Sequence, residues 1–386
     1  MKEREAHVFI VWSKGLDQRQ KILEDIAKRF EILQCIDTSW SKENFSENLS
    51  RFYGENLPKN SSKEKHCGTD TFLCVLVRDN DPKYELRETS KGIKPVNINM
   101  FDAKQLYRDW TGGGHKIHGS DNIVEAKSNM YLLYGFRYET ILNSEENDVS
   151  KAHKADLIGA NGWQSLDEVF EAFNELSNYV VLRNYMNIEE ELKNLHPDID
   201  ILTDNKRLIS DIANGKPTYK DKRRVQHLVN INGQKVFFDF RFIGDGYYDY
   251  KWQQQILSTR EFYKNMYVPN RENHFFSLMY HAFLHKEKLI SDYVVKLIDY
   301  SEVVGLAYNN KSFLDFGVLR DLNSFMMKNN YDYTEPRDLT VFYNIKLIEP
   351  FRHIMLSVDR EKYEKVRGIK KFIKKVFKKF GIKLGN

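Results

Sequence analysis

Apolar residues along this chain recur in two rhythms, and the alternation between them outlines its elements. His7–Trp12 (HVFIVW) is a continuous apolar run of strand length that ends in a Lys-Gly turn, and from Gln18 to Phe30 apolar residues return at helical spacing. The sequence EILQCID predicts a second strand, KENFSENLSRFYG a second helix and TFLCVLV a third strand, with polar NLPKNSSKEKHCG as a loop. NIVEAKSNMYLLYG predicts a further helix. Strand alternating with helix in so short a span implies a small α/β sandwich.

The polar stretch Glu145–Lys154 reads as a linker, and SLDEVFEAFNEL opens a new unit as a helix. YVVLRNY and DIDILTD are expected strands. RRVQHLVNI and QKVFFDFRF flank Asn232-Gly233, a dipeptide suited to the positive φ angles of a tight hairpin. From about Trp252 to Leu356 the pattern is chiefly helical, with aromatic-rich faces such as FFSLMYHAFLH.

Composition adds that the chain can bury large cores: 41% of its 386 residues are hydrophobic, and it contains 25 Phe and 22 Tyr. That length favours two or three domains. Cys35, Cys67 and Cys74 have neither zinc-ribbon nor disulfide-framework spacing and are expected to be reduced. With no secretory signal pattern and no apolar stretch of membrane-spanning length, a cytoplasmic location is expected.

The net charge of +4 conceals an asymmetry, because residues 365–386 carry nine Lys or Arg and no acid. There Val366, Ile369, Phe372, Ile373, Val376, Phe377 and Phe380 fall on one helical arc, with lysines on the other. This is the pattern of a helix lying on an anionic membrane surface; a terminal helix docked on its own domain is the alternative, and nucleic acid is the weakest option.

The first candidate chemistry lies in His196-Pro197-Asp198-Ile199-Asp200-Ile201-Leu202. Strand alternation puts Asp198 and Asp200 on one face and the isoleucines on the other. On the hairpin, Asp239 shares a face with Phe237 and Arg241, opposite Phe238, Phe240 and Phe242. Converging carboxylates repel, and a hard divalent cation relieves that repulsion; Mg²⁺ (or Mn²⁺) suits oxygen ligands. The alternative is that these are solvated acids at a strand end.

Residues Trp163 to Ile256 resemble the nucleotidyltransferase superfold, in which an Asp-x-Asp strand is joined by a third Asp on a later strand. That resemblance implies a nucleotidyltransferase-like domain over residues 155–256, with Asp198, Asp200 and Asp239 as catalytic metal ligands and a nucleotide or nucleotide-activated donor. Where the family has a Gly-Ser turn, this chain has Leu182-Arg183-Asn184-Tyr185, so Arg183 and Asn184 become the candidate phosphate contacts. Asp-x-Asp is also the metal motif of nucleotide-sugar glycosyltransferases.

The second candidate is Gly112-Gly113-Gly114-His115-Lys116-Ile117-His118-Gly119-Ser120-Asp121. With VFIVWSKG and the helix and strand patterns up to residue 137, it is similar to nucleoside diphosphate kinases. Those have a ferredoxin-like fold, and the similarity implies such a domain over residues 1–144, with His118 as phosphoryl acceptor. Lys14, Tyr53, Arg108 and His115 would then contact nucleotide phosphates. His115 stands where the family has asparagine, and Lys14 is displaced by one position.

A helical domain (257–360) and a basic amphipathic tail helix (361–386) complete an α/β and α+β multidomain chain. The expected function is Mg²⁺-dependent transfer from a nucleotide donor, in surface polysaccharide or teichoic-type polymer synthesis, with a lipid-linked acceptor at the inner face of the cell membrane. A catalytically degenerate nucleotide-binding regulator and a toxin-like enzyme modifying RNA or protein remain as alternatives. His281 and His285, four apart, are read as core histidines rather than metal ligands, and Tyr247, Tyr248, Tyr250 and Trp252 as either an acceptor wall or packing.

Overall fold

The computed structural model describes residues 4–89, 92–143, 151–193, 197–313 and 317–379. It is a mixed α/β structure that divides into two compact units. The first comprises residues 1–177, 207–215 and 229–235, and the second comprises 178–206, 216–228 and 236–386.

The first unit is built on a five-stranded sheet in the order Ile117–Gly119, Glu5–Val11, Phe72–Asp79, Glu31–Ser39, Lys151–Lys154. Its first four strands are mutually antiparallel. Lys151–Lys154, expected within a linker, instead pairs in parallel with Ile36–Ser39; the other residues of that expected linker lie outside the described residues. The apolar run Val8–Trp12 is buried, as strand residues covered on both faces must be. Phe9 and Val11 pack with Ile22 and Ile26 of helix Arg19–Arg29 and with Met100 and Tyr107 of helix Ile98–Trp110. Trp12 meets the rings of Trp40, Phe45, Phe52 and Phe72.

A second five-stranded sheet has the order Lys216–Pro217, Gln226–Ile231, Gln234–Phe242, Asp198–Thr203, Tyr179–Val181. Asn232 and Gly233, at φ 49° and 73°, make the expected tight turn. Strand Gln234–Phe242 runs parallel to Asp198–Thr203, placing Asp239 opposite Asp200 and Phe237 opposite Asp198. The strand expected over residues 179–185 stops at Val181. Asn184 takes the left-handed conformation (φ 60°) and a 3-10 turn, Tyr185–Asn187, follows.

Helices Tyr250–Ser258, Arg271–Leu284, Ser291–Ser301 and Gly317–Lys328 form the rest of the second unit's core, in which Trp252, Phe275, Met279 and Tyr280 are fully buried. The helical expectation overshot: Glu261–Tyr263 and Met266–Val268 form a small hairpin, and residues 329–357 are loops with a short 3-10 turn and no α-helix. A hairpin of Tyr84–Thr89 with Gly92–Asn97 also went unforeseen.

Helix Val358–Lys379 carries the basic tail, with Val366, Ile369, Phe372 and Ile373 exposed. The side chains of Val376 and Phe377, and Phe380 onward, lie outside the described residues. Among the described residues no helix is long and apolar enough to cross a membrane.

Candidate functional site: a carboxylate cleft and a buried histidine

Within strand Asp198–Thr203, Ile199 and Ile201 are buried while Asp198 is exposed and Asp200 partly so; the same alternation buries Phe238 and Phe240 behind Asp239. Since Asp200 and Asp239 are register partners, the three carboxylates share one sheet face. They line an open cleft of about 440 Å³ together with Arg183, Arg241, Tyr247 and Lys286.

Charge governs the geometry here. Asp200 Oδ1 accepts from Arg183 Nη2 at 2.5 Å, and Arg183 also donates to Tyr247 Oη at 3.0 Å. Asp239 is paired with Arg241 at 3.2 Å. Among the described residues no such cation is in contact with Asp198. The surrounding protein, followed by the charges of Asp200 and Asp239, holds its carboxyl well above the usual carboxylate range. Asp239 is raised as well, chiefly by burial, with Arg241 opposing. Arg183 and Arg241 are both buried and stay charged beside these carboxylates.

Among the described residues, no three His, Cys, Asp or Glu side chains stand as a ready metal-binding group. Two of the three acids are instead turned onto arginines. The three side chains offer oxygen donors only, the ligand type a hard cation takes.

His281 and His285 border this cleft and are buried. His281 bridges Tyr247 Oη and Tyr293 Oη, which occupies both ring nitrogens and leaves no metal-ligating lone pair. Of the aromatic quartet, Tyr247 lines the cleft, Tyr248 and Trp252 are core, and Tyr250 is exposed. Arg241 and Lys286 carried no expected role. Arg241 lies two residues past Asp239, hence on the same face; Lys286, just beyond a buried helix, carries no comparable signal.

In the first unit, His118 lies on strand Ile117–Gly119 and is buried, its ring edge-on to Phe52 and Tyr53. Its Nε2 is 2.8 Å from Asn129 Oδ1. Burial pushes its pKa down to about 4, so the imidazole is neutral near pH 7. Tyr53, Arg108, His115 and His118 line one cavity of about 490 Å³, which brings those expected residues together. Lys14 is the exception: it sits in the 3-10 turn Ser13–Gln18 with an exposed side chain and does not line that cavity. The strand ends at Val11, and buried Trp12, donating to Tyr53 Oη at 2.9 Å, is the residue that reaches inward. The buried cation of the cavity is Lys104, paired with Asp121 and one helical turn before Arg108. Gly112, Gly113 and Gly114 all have positive φ, between 78° and 81°.

No family model, curated protein or solved structure matches the chain.

Proposed function

We propose that the chain is a Mg²⁺- or Mn²⁺-dependent transferase acting on a nucleotide or nucleotide-activated donor, with Asp198, Asp200 and Asp239 as its reaction centre. The observation that carries this reading is the parallel register of Asp200 with Asp239, which gathers three carboxylates on one face in a cleft also lined by Arg183, Arg241 and Lys286. Carboxylates and cations gathered in one cleft are what a phosphate ester with a bound divalent ion requires. Asp198, Asp200 and Asp239 would hold the ion, which would supply the positive charge that lowers the barrier to attack at phosphorus.

The chain's own residues divide the remaining work. Arg183, pinned by Tyr247 and Asp200, presents a fixed cation where Leu182-Arg183-Asn184 replaces the Gly-Ser turn of nucleotidyltransferases. Asp239, register partner of Asp200 and paired with Arg241, shares in holding the ion or activates the acceptor hydroxyl. Asp200→Asn abolishes metal-dependent transfer on this reading, and wild-type turnover in that variant would reject it. Nucleotide binding without turnover would instead mark a regulator, and label transferred to RNA or protein a toxin-like enzyme.

The antiparallel strand order of the first unit supports a ferredoxin-like domain similar to nucleoside diphosphate kinase. His118, neutral and held at Nε2, is suited to accept a phosphoryl group at Nδ1. Acid-labile ³²P transferred from γ-labelled ATP, and lost in His118→Asn, is the expected signature; its absence removes that role. The exposed apolar arc of the tail supports a peripheral position on anionic membrane, where a lipid-linked acceptor of surface-polymer synthesis is found.

A further inference from the structure

Beyond Arg183 and Asn184 the second unit holds another cavity, of about 280 Å³, which shares those two residues with the carboxylate cleft and so adjoins it. Left-handed Asn184 turns the chain back over helix Arg271–Leu284, and the 3-10 turn behind it supplies Tyr185 and Asn187. Helix Ser291–Ser301 closes the other side with Lys296 and Tyr300.

His274 sits at the centre of this cavity, only 6% exposed and flanked by the rings of Tyr185 and Tyr300 at 4.9 and 5.0 Å. Burial pushes its pKa down to about 4, so at neutral pH it presents one donor and one acceptor. Neither ring nitrogen has a hydrogen-bond partner among the described residues, and neither is sealed from the cavity, so both are open to a ligand. Lys296 is held by Asp292 at 2.8 Å and by Asn184 Oδ1 at 3.1 Å. Glu190 and Asn187 add an acceptor and an amide at the mouth.

These groups discriminate among ligands. Glu190 and Asp292 disfavour a phosphate, and Lys296 is already neutralised. Both tyrosine rings are tilted 55° from the imidazole, so neither forms a parallel stacking slot with His274. Interspersed donors and acceptors with aromatic edges suit a group carrying several hydroxyls. The volume is just under the range of about 300–1,000 Å³ that holds drug-sized ligands, which leaves room for one sugar-sized unit.

We propose that this cavity is the acceptor subsite and binds a neutral polyhydroxyl group, a monosaccharide or alditol unit, whose hydroxyl is presented past Arg183 to the carboxylates. Its identification as an acceptor site rests on the transferase reading of the cleft; the binding itself does not.

Saturation-transfer NMR on the full chain, without metal or nucleotide, tests it with ribitol and methyl α-glucoside as probes and adenosine for comparison. The polyols are expected to receive saturation, with affinity weakened about tenfold by His274→Phe and about fivefold by Asn187→Ala, the loss of one or two hydrogen bonds. Asn187 is exposed, so its variant carries the test if His274→Phe fails to fold. Absence of polyol contact, contact undiminished in both variants, or selective contact with adenosine overturns the subsite. Should Asp200→Asn retain turnover while polyol binding behaves as expected, the transferase reading falls and the polyol site stands.

Discussion

Replacing either of two neighbouring aspartates by asparagine should move stability in opposite directions while both changes stop transfer. Arg183 is 7% exposed and its partner Asp200 12%, with the pair at 2.5 Å and Tyr247 Oη as the guanidinium's other contact. Stripping one member from a buried ion pair costs about 3–5 kcal/mol, because the other charge is left without compensation. Asparagine keeps an acceptor oxygen, and a neutral acceptor retains about half of a charge-assisted bond, so Asp200→Asn should cost about 2 kcal/mol. Asp198 is the converse case. It faces Asp200 and Asp239 with no cation in contact among the described residues, and since it is exposed the repulsion is screened, so Asp198→Asn should gain no more than about 1 kcal/mol. Because the chain has two compact units, the measurement must report on the second alone. Native-state hydrogen exchange of peptides from Arg271–Leu284, in that unit's core, does so. Magnesium at constant ionic strength should protect the wild type more than Asp198→Asn. Loss of stability in Asp198→Asn together with none in Asp200→Asn would refute the assignment of repulsion to the first and ion pairing to the second.

Three further outcomes are expected. His118 and His274 are held near 4 against an ordinary value of about 6.5, so each contributes stability that is complete above about pH 6.5 and is lost as pH falls toward 4. The loss approaches about 3 kcal/mol per histidine and should be missing from the acid slope of His274→Phe, since the raised carboxyls of Asp198 and Asp239 act in the opposite sense and are common to both proteins. Gly246 has φ 75°, and a Cβ there would lie 2.2 Å from Glu335 O, so Gly246→Ala should destabilise by about 3 kcal/mol or more in urea titration and disturb Tyr247 next to it. Liposomes containing anionic lipid should co-sediment the full chain and release it when residues 365–386 are removed or salt is raised; equal binding by the truncated chain would exclude the tail as the anchor.

Much of the site was legible in the sequence because a strand's two-residue period fixes which side chains share a face. Asp198 with Asp200, and Asp239 with Arg241, follow from that period alone, and Asn232-Gly233 located the turn between the hairpin strands. The run Val8–Trp12 likewise announced a strand buried on both faces. What the period leaves open is which strand lies beside which. That Asp239 is opposite Asp200 is a register between segments some forty residues apart, set by how the buried phenylalanines and isoleucines behind them pack. Long-range packing also put Lys104 where Lys14 was expected, because helix Ile98–Trp110 brings Lys104 onto the carbonyl of Gly119 beside His118, while the turn leaves the Lys14 side chain exposed. The pairing of Arg183 with Asp200, and the cavity around His274, arise where two helices, a 3-10 turn and a left-handed asparagine meet; no local pattern encodes such a meeting, since it depends on surfaces that exist only after the core has formed.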